Sequence, residues 1–298
     1  MKDLKNKNCF LTGAASGIGH AFAVQLAKEG MNLFISDIDM QNLELVRKEI
    51  EEMGVKVIIG RCDVSKFEDF ENIAKEFYSK LGDVDLLINN AGIAIGGPIE
   101  ELELEDWKNV LDVNLWSIIH SIKAFLPRML ERKSGHIVNV ASGAGIFGSA
   151  EPLPYIASKF AVVGISEALY GQLYNRGIRI SVIVPSYIRT NIFLTSKHKF
   201  PKKLVKDYGI EKIEEIYKKY LKDIGSKAVL PKRAIRKYIA QIKENRLYVY
   251  DMNTVVPILA LKGKPVEFEE FLVNFNENFI NTRKEFFLKN GINLNDYI

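Results

Sequence analysis

The chain is poor in the features that mark several large classes of protein. It has only two cysteines, Cys9 and Cys62, and they fit no metal-ligand spacing. Both fall in stretches that read as strands, which predicts buried, reduced thiols in a cytoplasmic protein, and no metal site is expected. No apolar run is long enough to cross a bilayer. The most apolar late stretch, Thr254 to Leu261, is too short and contains Pro257. Met1 to Asn8 is charged and leads straight into an apolar run, unlike a signal peptide. With 47% apolar and 26% charged residues, the rest is ordinary for a soluble globular chain.

Charge of one sign is scarce only locally. Residues 1–190 carry 20 Lys/Arg against 24 Asp/Glu, whereas residues 191–298 carry 21 against 13. Most of the excess lies in residues 197–246, with 16 basic and 6 acidic residues. Such a segment can attract an acidic ligand, a carrier protein or an anionic membrane, or simply be a solvated helix face. Nothing points to nucleic acid.

The stretch Ser142 to Lys159 holds the reactive candidates. Tyr155 and Lys159 are four residues apart, which on a helix stacks them on one face. A phenol ionises near pH ~10. A neighbouring ammonium stabilises the phenolate and brings its proton within reach of acid–base chemistry. Ser142 follows an apolar run, His136 to Val140, and so stands at a strand's carboxyl end, where open α/β sheets place their ligands.

Strands and helices alternate along the chain. Asn8 to Thr12 reads as a strand running into Thr12-Gly-Ala-Ala-Ser-Gly-Ile-Gly19, followed by a helix over about 18–29 closed by Gly30. Glycines between strand and helix let the backbone approach a pyrophosphate, although Gly-x-x-x-Gly-x-Gly is not the common Gly-x-Gly-x-x-Gly order. The second strand, Asn32 to Ser36, ends at Asp37, 18 residues beyond Gly19. An acid near that offset bonds the adenosine ribose and repels a 2′-phosphate. No Lys or Arg occurs between Lys28 and Arg47, so NAD(H) is favoured over NADP(H). Further strands are expected at 56–62, 84–88, 136–140, 179–184 and 247–250. One long helix is expected over about 105–132, kinked at Pro127, with Asn114 at a buried position. The pattern is that of a doubly wound parallel sheet.

Together these pieces resemble the short-chain dehydrogenase/reductase family over roughly residues 5–190, and more loosely to about 250. The matching residues are Thr12-Gly-x-x-x-Gly-Ile-Gly19, Asp63, Asn89-Asn-Ala-Gly92, Asn114, Ser142, Tyr155-x-x-x-Lys159 and Pro185 with Thr190. The resemblance implies a single Rossmann-type domain over 1–250 with a substrate-covering lid at about 191–231, followed by a helical C-terminal extension, 251–298, packed on the same domain. It implies that Tyr155 is the general acid or base, that Lys159 tunes it, that Ser142 holds the substrate oxygen and that Asn114 orders a relay water. Gly13, Ser16, Gly17, Ile18 and Gly19 would line the pyrophosphate turn, and Asp37 would hold the ribose. Asp63 and Val64 would touch adenine, with Asn89, Ala91 and Gly92 beside the coenzyme. Pro185, Ile188 and Thr190 would bound the nicotinamide. Ser186 stands where the family usually has glycine. If the position needs a positive φ, serine costs roughly 1 kcal/mol or more there.

Ile192, Phe193 and Leu194, with Ile93, Ile95, Ile146, Phe147, Leu153 and Tyr187, are expected to wall an apolar pocket for a bulky alcohol or ketone such as a steroid, retinoid or acyl chain. The Phe-rich stretch 268–287 suits an amphipathic helix that covers a pocket, meets another subunit or lies on a membrane. A homodimer or homotetramer is expected from the resemblance of the long helices to the family's dimerising ones. The alternatives are a carrier-linked 3-oxoacyl reductase and a non-catalytic dinucleotide sensor.

Overall fold

The structure, a computed structural model, describes residues 2–150, 152–190 and 192–297, apart from the side chains of Phe193 and Leu194. Asn191, the expected start of the lid, and the wall contributions of Phe193 and Leu194 lie outside the described residues.

Seven strands form one parallel sheet in the order β3-β2-β1-β4-β5-β6-β7. They are β1 (Asn8–Thr12), β2 (Asn32–Asp37), β3 (Val57–Arg61), β4 (Leu86–Asn89), β5 (Gly135–Val140), β6 (Ile178–Val184) and β7 (Tyr248–Tyr250). The expected strands agree to within one or two residues. The central ones are apolar without alternation because both faces of the sheet are covered. In β1, Leu11 packs on one face with Leu33 and Ile35. Phe10 points to the other, among Phe34, Phe70, Phe77 and Phe125, its ring centroid 4.7 Å from that of Phe125. Cys9 is buried in β1, and Cys62 is buried just past the end of β3 rather than inside it.

Helices α1 (Gly17–Lys28), α2 (Met40–Glu51) and α10 (Pro231–Lys243) cover one face, and α3 (Phe67–Leu81), α5 (Ser117–Arg132) and α6 (Leu153–Leu173) the other. The expected single helix over 105–132 is corrected. α4 (Leu104–Leu111) passes into a five-residue π-helical turn, Asp112–Trp116, before α5 begins. Pro127 lies within α5, and the π-helical turn falls around Asn114. Propensity alone gives no sign of it, since a π-turn is sustained by side-chain partners distant in sequence.

The segment expected to form a lid contains α7 (Ile192–Thr195), α8 (Lys202–Tyr208) and α9 (Ile210–Ser226). Two short parallel bridges, Ile95 to Lys197 and Gly96 to His198, pin its start beside the loop after β4. Its end is pinned where Tyr187 and Arg189 exchange backbone hydrogen bonds with Val229. Beyond β7, α11 (Val255–Leu261) and α12 (Pro265–Lys289) fold back. Phe271 and Phe275 of α12 meet Phe147 edge-on, with centroids 5.4 and 4.8 Å away. Among the described residues, no helix is long and apolar enough to cross a membrane.

Candidate active site

The strand order reverses between β1 and β4, and doubly wound sheets bind ligands in the crevice at such a point. A cavity of about 830 Å³ opens there. It runs from the β1–α1 turn past Ser142, Tyr155 and Lys159 to α9, α11 and α12.

The turn is built for close approach. Gly13 and Gly17 have φ of +66° and +57°. A Cβ on Gly13 would sit 2.8 Å from the Ala91 Cα, and one on Gly19 2.0 Å from the Gly13 carbonyl oxygen. Only hydrogen fits at either place. The end of β4 is tied to the turn by Asn90, whose side-chain amide donates to the carbonyls of Thr12 and Gly13, both at 3.0 Å. Thr12 Oγ1 accepts from the backbone of Asn90 and Ala91. α1 starts at this turn with no acidic residue in its first turn, so its free N–H groups and dipole favour an anion.

Asp37 closes β2, accepting hydrogen bonds from the backbone N–H of Ala15 (2.9 Å) and Asp39 (3.0 Å). A carboxylate has about four acceptor positions, so capacity remains for hydroxyls. Asp63 follows β3, and the Ser65 hydroxyl, 2.6 Å away, is the leading cause that holds its carboxyl below the usual range. With Ile38 and Val64 these acids line one end of the cavity.

The reactive cluster lies at the strand ends of β5 and β6. Lys159 is 3% exposed and donates from Nζ to the Val140 carbonyl at 2.9 Å. Burial lowers its pKa to about 8. Burial likewise pushes the Tyr155 phenol up, opposed by its hydrogen bond with Ser142. The sequence suggested that the lysine would pull the phenol down. Here desolvation is the leading cause, and Lys159 lies 5.4 Å from the Tyr155 ring centroid with its ammonium turned to the β5 backbone. Asn114, buried in the π-turn, accepts from the Ile93 N–H (2.8 Å). It donates to the Ile93 carbonyl (3.0 Å) and to Ser158 Oγ (2.9 Å). A Cβ on Gly92 would lie 3.3 Å from Asn114 Oδ1 and 3.5 Å from Lys159 Nζ, so the three meet at one point.

Most expected site residues therefore line one cavity: Gly13, Ser16, Gly17, Ile18, Asp37, Asp63, Val64, Ala91, Gly92, Ser142, Tyr155, Lys159, Pro185, Ile188 and Thr190. Thr190 faces the turn directly, since a Cβ on Gly17 would come 3.2 Å from its own Cβ. Gly19 sits behind the turn as a packing position. Asn89 is placed differently: its amide is buried against Asn139, at 2.8 Å, and Asn90 takes the lining place. Two expected wall residues are corrected. Ile95 is buried in the short bridge, and neither it nor Leu153, the first residue of α6, is among the residues lining the cavity. Tyr217, Tyr220, Phe271, Phe275, Phe279 and Arg283 complete the wall, and the sequence reading named none of them as site residues. Their repeat at helical spacing showed an amphipathic face, not what it faces.

A glycine cradle closed to Cβ atoms, a carboxylate at the end of β2 and a Ser-Tyr-Lys cluster with its lysine buried define a dinucleotide-binding oxidoreductase. The short chain dehydrogenase family model matches residues 7–199. The chain belongs to this family, whose members interconvert CH–OH and carbonyl groups with a nicotinamide coenzyme. It is 39% identical over 202 residues to a "CLA biosynthesis dehydrogenase/reductase" of Lactiplantibacillus plantarum, spanning 67% of this chain and 71% of that protein. It is 35% identical over 187 residues to a 3-oxoacyl-(acyl-carrier-protein) reductase of Thermotoga maritima, spanning 63% and 76%. In structure it is similar to a short-chain dehydrogenase/reductase from Burkholderia phymatum in complex with NAD. The TM-score is 0.79 at 29% identity, over 90% of this chain and 97% of that one. A metagenomic short-chain oxidoreductase in complex with NADP matches with a TM-score of 0.59 at 31% identity, over 61% and 83%.

Proposed function

We propose that this chain interconverts a secondary alcohol and a ketone on a bulky, mainly apolar molecule, with NAD(H) preferred to NADP(H). The observation that carries the reading is the continuity of the cavity. One space of about 830 Å³ joins the glycine turn, the Ser142–Tyr155–Lys159 cluster and an aromatic wall from α12. A nicotinamide coenzyme would supply or accept hydride when bound at Gly13, Ser16 and Ile18, with its adenosine ribose on Asp37.

Tyr155 moves the proton. Its phenol oxygen donates to the substrate oxygen in reduction and takes the proton back in oxidation. Ser142, already bonded to that phenol, holds the same oxygen. Lys159 can turn its ammonium from the Val140 carbonyl toward the phenolate and a ribose hydroxyl, which offsets the cost that burial imposes on ionising Tyr155. Asn114, beside Gly92 and Lys159, orders water for proton return. The segment from α7 to α9 serves as the lid, and residues 251–298 belong to the same domain through the packing of Phe147 on α12. A homodimer or homotetramer is the expected assembly.

A panel of alcohols and ketones assayed by nicotinamide absorbance tests the reading, with Tyr155→Phe as the control. The variant should lose turnover by about 10²–10⁴-fold, the range for a general acid–base group, while binding NADH as before. Highest rates on short polar alcohols or sugars would remove the apolar-substrate proposal.

A second reading is reduction of 3-oxoacyl chains on an acidic carrier. It is favoured by the similarity to 3-oxoacyl-(acyl-carrier-protein) reductases and by the basic 197–246 segment. Carrier docking of that kind should weaken steeply between low and physiological salt. Salt-independent turnover of carrier-linked substrate would argue against it.

A further inference from the structure

The two ends of the cavity differ in charge. The carboxylates that line it among the described residues, Asp37 and Asp63, both lie at the coenzyme end. At the opposite end the lining includes Arg283, His198 and Tyr217. Between the ends runs a stripe on α12. Phe271, Phe275, Phe279 and Arg283 recur every four residues and so share one helix face. All four line the cavity. The stripe starts beside the reactive cluster, because Phe271 and Phe275 meet Phe147, five residues beyond Ser142. From Phe275 to Arg283 is eight residues of helix, about 12 Å at 1.5 Å per residue.

Arg283 is 6% exposed. A guanidinium is charged at every working pH. Burial first, and then the charge of Arg283, hold the His198 imidazole down at about 3. The histidine is therefore neutral and brings no second charge to this end. A guanidinium has five N–H donors in a planar fork, a match for both oxygens of a carboxylate. An apolar passage that ends in such a group suits a long molecule with one anionic end.

We propose that Arg283 selects a free carboxylate, so that the cavity takes an elongated hydroxy or oxo acid of the fatty-acid type, with its carboxylate toward Arg283 and its carbinol or carbonyl toward Tyr155. The placement of the carbinol rests on the oxidoreductase reading above, whereas the carboxylate seat does not. Neutral sterols and thioester-linked chains offer this end no carboxylate.

Calorimetric titration of the NADH-bound protein with decanoate and with methyl decanoate tests the seat. The wild type should bind the acid about tenfold or more tighter than the ester, as a charge-assisted pair implies. Arg283→Leu should remove that preference while leaving ester affinity unchanged, and Arg283→Lys should restore part of it. If Arg283→Leu does not fold, Phe279→Asp replaces it. A carboxylate one turn away competes for the guanidinium, so the preference should again fall. Equal binding of acid and ester by the wild type, or a preference that persists in Arg283→Leu or Phe279→Asp, overturns the proposal. Turnover is read separately. If no hydroxy or oxo acid is turned over while Arg283-dependent decanoate binding persists, the oxidoreductase reading fails and the carboxylate seat stands.

Discussion

Ser186 donates both its backbone N–H and its hydroxyl to the two carboxylate oxygens of Asp251, joining the loop after β6 to the end of β7. Tyr238 of α10 donates to the same carboxylate at 2.6 Å, and Asp251 is 3% exposed. Serine here is thus not a strained stand-in for glycine. Among the described non-glycine residues, positive φ occurs at Asn6, Lys133 and Asn245, not at Ser186. The hydroxyl gives a buried carboxylate a partner, which a glycine would lack.

Ser186→Ala should therefore destabilise the protein by about 1.5–3 kcal/mol, the range for a hydrogen bond to a charged group. The same loop carries Ile188 and Thr190, so KM for the coenzyme should rise several-fold while kcat changes little. Thermal melts read the first quantity, and steady-state kinetics at varied coenzyme concentration read the second. An unchanged melting temperature would mean that the pair carries no net stability.

Much of this architecture was legible in the sequence, for identifiable reasons. The strands stood out because central strands of a parallel sheet are apolar on both faces. Ser142, Tyr155 and Lys159 stood out because their roles depend on local spacing and on the end of one strand. Other features depend on partners distant in the chain. The π-turn at Asn114 is held by Ile93 and Ser158. The place of Asn90 in the turn depends on Thr12 and Gly13, although its motif had already been singled out. The Phe-rich stretch 268–287 reads as an amphipathic helix with a pocket, a subunit or a membrane as its partner, and only the fold shows that Phe271 to Arg283 line the cavity. Spacing also does not report desolvation, which is the first cause of the shift for both Tyr155 and Lys159.

That desolvation has a consequence for stability. Burial lowers the Lys159 pKa from 10.5 to about 8. Between those values the unfolded chain binds more protons at this site than the folded one, so stability rises with pH across the window. Below about pH 8 the full cost applies, about 3 kcal/mol for a shift of this size. The raised Tyr155 pKa acts oppositely, but only above its ordinary value of 10. Denaturant melts of the coenzyme-free protein between pH 8 and 10 should show stability rising, and Lys159→Met should flatten that rise. An equal slope in both proteins would assign the dependence to other groups.

Asp37 is the residue expected to separate the two coenzymes by charge. Its carboxylate lines the cavity with no Lys or Arg within eight residues of it in sequence, so a 2′-phosphate would meet like charge. Asp37→Ala should bring the kcat/KM values for NAD(H) and NADP(H) together, mainly by weakening NAD(H) and relieving repulsion of NADP(H). Steady-state kinetics with both coenzymes check this. An unchanged ratio would remove Asp37 from the ribose site.

Gly19 offers the sharpest steric prediction. A Cβ there would lie 2.0 Å from the Gly13 carbonyl oxygen and 2.6 Å from the Asn90 side-chain nitrogen. Because the first of these contacts is backbone, no rotamer change relieves it, and the turn must open. Opening it pulls Gly13 from Asn90 and Ala91, which hold the end of β4 against the turn. Gly19→Ala should cost about 1–3 kcal/mol, the usual range for overpacking, and should also remove NADH binding. Gly148 is the control, since a Cβ there would meet nothing within 4 Å. Gly148→Ala should bind NADH like the wild type. Coenzyme fluorescence and thermal melts on the two variants separate a general glycine effect from a contact at the turn. If Gly19→Ala still bound NADH normally, the turn could not be the tight pyrophosphate cradle described here.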